Sequence, residues 1–346
     1  MRILLCLSHS IEERDQLELL SSLGYEVASL GGYIDPANPH DPKRPPLGGV
    51  PCHAEVKNAV DAIGSDDNLG CAQSCIPDAV LEWLGNDGII IYHHYLDRLY
   101  GQWDRVRDWM RGGSGRRVVW RTVGQSVQNN ELQAAPYRRD RLEIVRYSPK
   151  ERNIPDYAGE DALIRFWKDE EEWSGWVGDL PTVINVTQGL AQREPYTNFG
   201  FWRAVTEGRP LLPAVALGPG SGSIGGPGEL GYDVMRGWLR RARCYLYTGT
   251  QPASYTLGLV EAMMTGIPVV SIGPRWMGVF PYGPELFEGH EIAGRWTNSP
   301  DVAYALLREL LDDDDLAAEE SVRQRAVACD LFGRSAAAAG WASFLG

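Results

Sequence analysis

The chain has 346 residues, 44% of them hydrophobic and 23% charged, with a formal net charge of −13. That apolar content excludes an extended disordered chain, and no apolar run reaches the roughly 20 residues a membrane-spanning helix needs. The acidic balance argues against a generally basic nucleic-acid binder, and the length leads to an expectation of two domains.

The amino-terminal MRILLCLSHS runs straight into IEERDQ without a small-residue cleavage pattern. It reads as a buried strand rather than a signal peptide, and a cytoplasmic protein is the default expectation. Helical IEERDQLELLSSLG follows, with Gly24 as its C-cap, and then strand-like YEVASL. The Pro/Gly-rich insert GGYIDPANPHDPKRPPLGGVPCH is too long for a simple connection. It ends in Cys52 and His53, and Cys71 and Cys75 follow, but their spacing is not a standard zinc pattern, so reduced thiols are the favoured reading and no metal is expected. Cys6 and Cys244 sit in strand-like apolar runs and read as core residues.

Next come a short helix, PDAVLEWLG, a continuous apolar strand, DGIIIYHH, a helix over LDRLYGQWDRVRDWMRG, and strands RVVWRTVGQS and LEIVRYS. Between Arg98 and Arg146 eleven arginines stand against five acids, a local excess of +6 that leaves −19 for the rest of the chain. The excess reads either as ordinary solvated faces or as a basic patch facing an anionic partner. From about residue 150 to 180 the pattern weakens into a charged, Trp-rich stretch, an interdomain connection or a lid. Alternation resumes with TVINVTQ, LLPAVALG, RCYLYTG and IPVVSIG and ends in helices, among which the run Asp312 to Asp315 reads as solvated caps. Two successive β/α series predict two doubly wound Rossmann-like domains.

The stretch YLYTGTQPASYTLGLVEAMMTGIPVVSIG reads as strand, loop, helix, tight turn and strand. Ser254 or Thr256 is placed to cap the helix, whose free amides suit a diphosphate. Glu261, one to two turns further in, is suited to accept hydrogen bonds from ribose hydroxyls, although a glutamate on a helix surface is more often merely solvated.

LGLVEAMMTGIPVVSIG resembles the donor-site segment of retaining GT-B glycosyltransferases, especially the large family-four group, and the likeness continues through PELFEGHEIAGRWTNSPDVAYALLRELLDDDD to the final helices. The amino-terminal half matches only in strand order. The resemblance implies a ribose-binding role for Glu261 and a second glutamate eight positions earlier, against the transferred sugar. That position is Ala253 here, so the contact to the transferred sugar departs from the family's pattern. Ser254, Tyr255 and Thr256 offer hydroxyls and amides in its place. The resemblance further implies an Arg and a Lys on the donor diphosphate. VINVTQGLAQREP supplies Arg193 but no nearby lysine. Gly218, in the glycine-rich loop LGPGSGSIGGPGELG, and Thr250 complete the expected donor contacts.

His93 and His94 end the strand GIIIYHH, where many members place a histidine over the transferred sugar; Asp35 is the other candidate acid/base group. Arg121, Gln125 and Ser126 are the candidate acceptor contacts. The expected architecture is α/β GT-B: an acceptor domain over 1–180, a nucleotide-sugar domain over 181–330, and a helix over 331–346 returning to the first. The expected activity is metal-independent hexosyl transfer from a nucleoside diphosphate sugar, a UDP-sugar by preference, used as co-substrate with no cofactor. The arginine-rich stretch of the first domain, the insert and PYGPELFEGHEIAG together look similar to phage-encoded glycosyltransferases that decorate hydroxymethylated DNA bases, so a 5-hydroxymethyl pyrimidine in phage DNA is the first acceptor expectation. A small-molecule, lipid or glycan acceptor, a sugar-nucleotide epimerase and a catalytically silent nucleotide-sugar binder are the alternatives.

Overall fold

The computed structural model describes residues 1–6, 10–29, 76–93, 97–124, 127–207, 212–274, 285, 287 and 295–346. Asp35, Cys52, His53, Cys71, Cys75, His94, Gln125 and Ser126 lie outside them. The chain divides into one unit of Met1–Ile164 with Ala338–Gly346 and a second of Arg165–Ala337.

The first unit carries a six-stranded, all-parallel sheet in the order β2-β1-β3-β4-β5-β6, formed by β1 (Arg2–Cys6), β2 (Glu26–Ser29), β3 (Ile89–His93), β4 (Arg117–Arg121), β5 (Glu143–Arg146) and β6 (Ala162–Leu163). Ile89, Ile90 and Ile91 are wholly buried, as an apolar run covered on both sheet faces must be. Helix α1 (Ser10–Ser22) ends at Gly24, whose φ of +87° is the left-handed conformation a glycine adopts without strain. Helix α2 (Asp78–Leu84) precedes β3. The continuous helix expected over LDRLYGQWDRVRDWMRG is two, α3 (Asp97–Tyr100) and α4 (Trp103–Arg111). The break falls at Gly101 and Gln102, and the buried Gln102 side chain accepts a hydrogen bond from the Ile76 amide at 2.8 Å. Helix α5 (Gln128–Arg139) links β4 to β5.

The buried Arg146–Glu131 pair joins β5 to α5 through two hydrogen bonds of 2.7 Å. Glu131 also accepts from the Ala158 amide, and Arg146 donates to the Gly159 carbonyl.

The second unit has a five-stranded, all-parallel sheet in the order β11-β10-β9-β7-β8, formed by β7 (Leu180–Val186), β8 (Ala214–Leu217), β9 (Ala242–Tyr247), β10 (Val269–Ile272) and β11 (Trp296–Thr297). Helices α6 (Phe199–Thr206), α7 (Tyr232–Arg241), α8 (Leu257–Thr265), α9 (Pro300–Asp312) and α10 (Asp314–Phe332) belong to it. Its core gathers Val183, Phe201, Leu246, Val270 and Leu307. The Asp312–Asp315 run caps helices: Asp313 accepts from the Leu316 amide at 2.9 Å. The Trp-rich stretch is divided between the units, and its part from Arg165 onward packs within this one, with Phe166, Trp167, Lys168 and Trp173 all buried. Helix α11 (Arg334–Leu345) ends in the first unit, where Trp341 lies under Arg121 and Arg117 donates to the Phe344 carbonyl at 3.0 Å. Among the described residues no helix is long and apolar enough to cross a membrane.

Candidate functional site

In an open parallel sheet a ligand sits beyond the carboxyl ends of the strands, at the point where the strand order reverses. In the second unit that point lies between β7 and β9, since β7 leads outward to β8 while β9 leads to β10 and β11. The loops leaving these strands are tied to one another. Asn198 Nδ2 donates to the Thr248 carbonyl at 2.7 Å, and the Gln251 amide donates to the Tyr196 carbonyl at 2.6 Å. Gln192 Nε2 donates to the Gly220 carbonyl at 2.9 Å and to Ser223 Oγ at 2.6 Å, binding the glycine-rich loop into the same rim.

Gly218 has φ +108°, and a Cβ there would stand 3.2 Å from the Thr187 carbonyl oxygen. A side chain would be strained and tight at that position, so the glycine lets the loop after β8 press against the loop after β7.

Helix α8 begins on this rim. Thr256 is its N-cap, its side-chain oxygen accepting from the Leu259 amide at 3.3 Å. A Cβ on Gly258 would lie 3.5 Å from the Val186 carbonyl oxygen, so the helix start packs on the carboxyl end of β7. Tyr245 fixes the same strand end through its hydroxyl, which bonds to the Val186 backbone at 3.2 Å; burial pushes its phenol pKa up.

Glu261 faces Lys168, whose Nζ lies 2.8 Å from Oε1. The lysine side chain is 0% exposed and that of Glu261 13% exposed. Trp173 covers the ammonium, with Nζ 5.6 Å from its ring centroid, and the Lys168 amide donates to the Phe332 carbonyl at 2.9 Å. Arg193 is exposed on the loop after β7; its guanidinium makes one long bond, 3.4 Å to the Gln188 carbonyl, and among the described residues no carboxylate neutralises it.

The other expected residues are distributed as follows. Thr250 is half-buried in the loop after β9, where its carbonyl accepts from the Ala253 amide at 2.8 Å. Ser254 is fully buried, and its carbonyl accepts from the Glu285 amide at 2.8 Å. Tyr255 is 1% exposed: its ring lies in an aromatic cluster with Phe166, Phe287 and Phe332, and its hydroxyl accepts from the Phe166 amide at 3.4 Å. A side chain held there packs the unit and offers no free hydroxyl face in place of the carboxylate missing at Ala253. Arg165 crosses the same cluster and grips Glu285 at 2.9 and 2.5 Å.

In the first unit His93 ends β3 but is only 1% exposed. Arg121, an expected acceptor contact, is 0% exposed: it donates to the carbonyls of Arg146 and Ile164 and faces Glu12 at 3.7 Å. Its guanidinium is thus enclosed within the unit. Lys168 escaped the sequence reading. It lies 93 positions from Glu261 in a segment without periodicity, and its one signal was the scarcity of lysine, of which the chain has four.

No protein-family model and no curated protein matches the chain. Solved structures do. A glycosyltransferase from Rickettsia africae has a TM-score of 0.66 at 10% identity, covering 99% of this chain and 97% of that one. Anabaena Alr3699/HepE in complex with UDP-glucose has a TM-score of 0.64 at 13% identity, covering 100% and 99%. An O-GlcNAc transferase from Thermobaculum terrenum has a TM-score of 0.55 at 14% identity, covering 100% of this chain and 65% of that one. The likeness extends along the whole chain, and the fold is the two-domain α/β architecture called GT-B.

Proposed function

We propose that the protein is a glycosyltransferase that moves a hexosyl group from a nucleoside diphosphate sugar, a UDP-sugar by preference, to a hydroxyl acceptor. The observation that carries this is the arrangement on one rim of the second unit. A capped helix start and an unneutralised Arg193 suit the diphosphate, and a partly exposed Glu261 suits the ribose. The fold shared with Anabaena Alr3699/HepE, solved with UDP-glucose, supports the choice of donor.

In the reaction the acceptor oxygen bonds to the anomeric carbon as the bond from that carbon to the β-phosphate oxygen breaks. The acceptor proton passes to the departing diphosphate. Arg193 and the α8 amides hold the negative charge that develops there. A front-side, retaining course needs no separate base, in keeping with the burial of His93.

The DNA reading of the acceptor rested on the insert and PYGPELFEGHEIAG, of which only Glu285 and Phe287 are among the described residues, and on the arginine excess between Arg98 and Arg146. Within it Arg105 faces Asp78, Arg107 Asp104, Arg111 Asp140, Arg117 Glu143, Arg138 Asp161 and Arg146 Glu131. Arg117 and Glu143 moreover open β4 and β5 at their amino ends, the edge away from a ligand crevice. This pairing favours a small-molecule, lipid or glycan hydroxyl over a 5-hydroxymethyl pyrimidine in DNA.

Incubation with UDP- and GDP-sugars, read as nucleotide release, tests the activity; release from none of the common donors contradicts it. Addition of hydroxymethylated DNA tests the acceptor. Turnover that it stimulates and that falls steeply with salt restores the DNA reading.

A further inference from the structure

The cation opposite Glu261 is a lysine in a chain that otherwise uses arginine. Only four of its 33 basic residues are lysines. Two other buried carboxylates of the described residues are held by arginine forks: Arg146 grips both oxygens of Glu131, and Arg165 both oxygens of Glu285. A fork occupies a carboxylate completely, whereas an ammonium is a point charge that satisfies one oxygen.

We infer that Lys168 is the positioning residue of the donor site, holding Glu261 Oε1 so that Oε2 is presented to the paired ribose hydroxyls of the nucleotide. This rests on the donor reading given above. The ammonium lies 2.8 Å from Oε1, its own side chain has no exposure, and among the described residues no other side chain is paired with the Glu261 carboxylate. The lysine is itself fixed from three sides. Its amide is bonded to the Phe332 carbonyl, its backbone bridges to Gly333, and Trp173 lies over its nitrogen. The carboxylate therefore meets the ligand already oriented, and its charge is balanced without loss of its accepting capacity.

The test compares uridine diphosphate with 2′,3′-dideoxyuridine diphosphate by calorimetry on wild type, Lys168→Arg and Lys168→Met, with thermal melts to establish folding. Wild type is expected to favour the ribonucleotide by about tenfold or more, the worth of hydrogen bonds to a charged group. Lys168→Arg keeps the charge but covers both oxygens, and the preference should collapse towards unity. Lys168→Met removes the clamp, and the same loss is expected; it decides the matter if the arginine variant does not fold. General destabilisation does not move this ratio. A folded variant that keeps the full preference overturns the inference and leaves the donor reading standing. Wild type that binds neither nucleotide overturns both.

Discussion

Lys168 and Glu261 form an ion pair across 2.8 Å in which the lysine side chain is wholly enclosed and the glutamate keeps 13% of its side-chain surface. The pair is asymmetric: one partner is wholly enclosed, and the other, one turn into the helix that starts on the loop rim, keeps some exposure. Removing the carboxylate takes a counter-charge from a buried ammonium, at a cost of about 3 kcal/mol. Glu261→Leu is therefore expected to destabilise the protein by that amount in urea unfolding. The double variant Lys168→Met, Glu261→Leu should recover most of it, because an apolar pair needs no charge compensation.

Arg193 should behave in the opposite way. It is exposed, and among the described residues its guanidinium is bonded only to the Gln188 carbonyl, so Arg193→Ala should leave the melting temperature unchanged. Loss of a charge-assisted contact to the diphosphate, about 1.5–3 kcal/mol, should weaken nucleotide binding at least tenfold and flatten its salt dependence. A variant with unaltered affinity would remove Arg193 from the site.

Stability should fall as the pH rises towards neutrality, through Glu13. Burial pushes its carboxyl from 4.5 up to about 7, against the lowering effect of the hydrogen bond from Ser29. The folded state therefore holds this proton while the unfolded chain releases it. Stability is full below about 4.5, declines between there and about 7, and then levels off, with a total loss of about 3 kcal/mol. Denaturation midpoints across that range should slope downward in wild type more steeply than in Glu13→Gln.

The Arg146–Glu131 pair gives a prediction for the first unit. Both side chains are 0% exposed, so Glu131→Ala should cost about 3–5 kcal/mol in chemical denaturation. The exposed Arg203–Glu207 pair on α6 should contribute within about 0.5 kcal/mol, and Arg203→Ala serves as the control.

The sheets were legible because buried parallel strands announce themselves as apolar runs, as at Ile89–His93 and Val269–Ile272. Gly24 marked its helix end for a local reason too, and of the two cap candidates, Ser254 and Thr256, the helix starts at Thr256. What could not be read was which polar groups lie enclosed inside the protein. Tyr255 and Arg121 look available in a sequence, but their positions in an aromatic cluster and between backbone carbonyls depend on residues far along the chain. The stretch before 180 had no period because Phe166–Trp176 is held by tertiary contacts, such as Trp176 Nε1 to the Ala242 carbonyl at 2.8 Å, and not by a regular element. The partner of Glu261 was hidden there for that reason.

The central claim is that the second unit grips a nucleoside diphosphate with Glu261 on its ribose. Calorimetric titration of uridine diphosphate into wild type and into Glu261→Ala tests it most directly. Saturable one-to-one binding by wild type, weakened at least about tenfold in the folded variant, is the predicted result. No binding by wild type, or equal affinity in the two proteins, would contradict it.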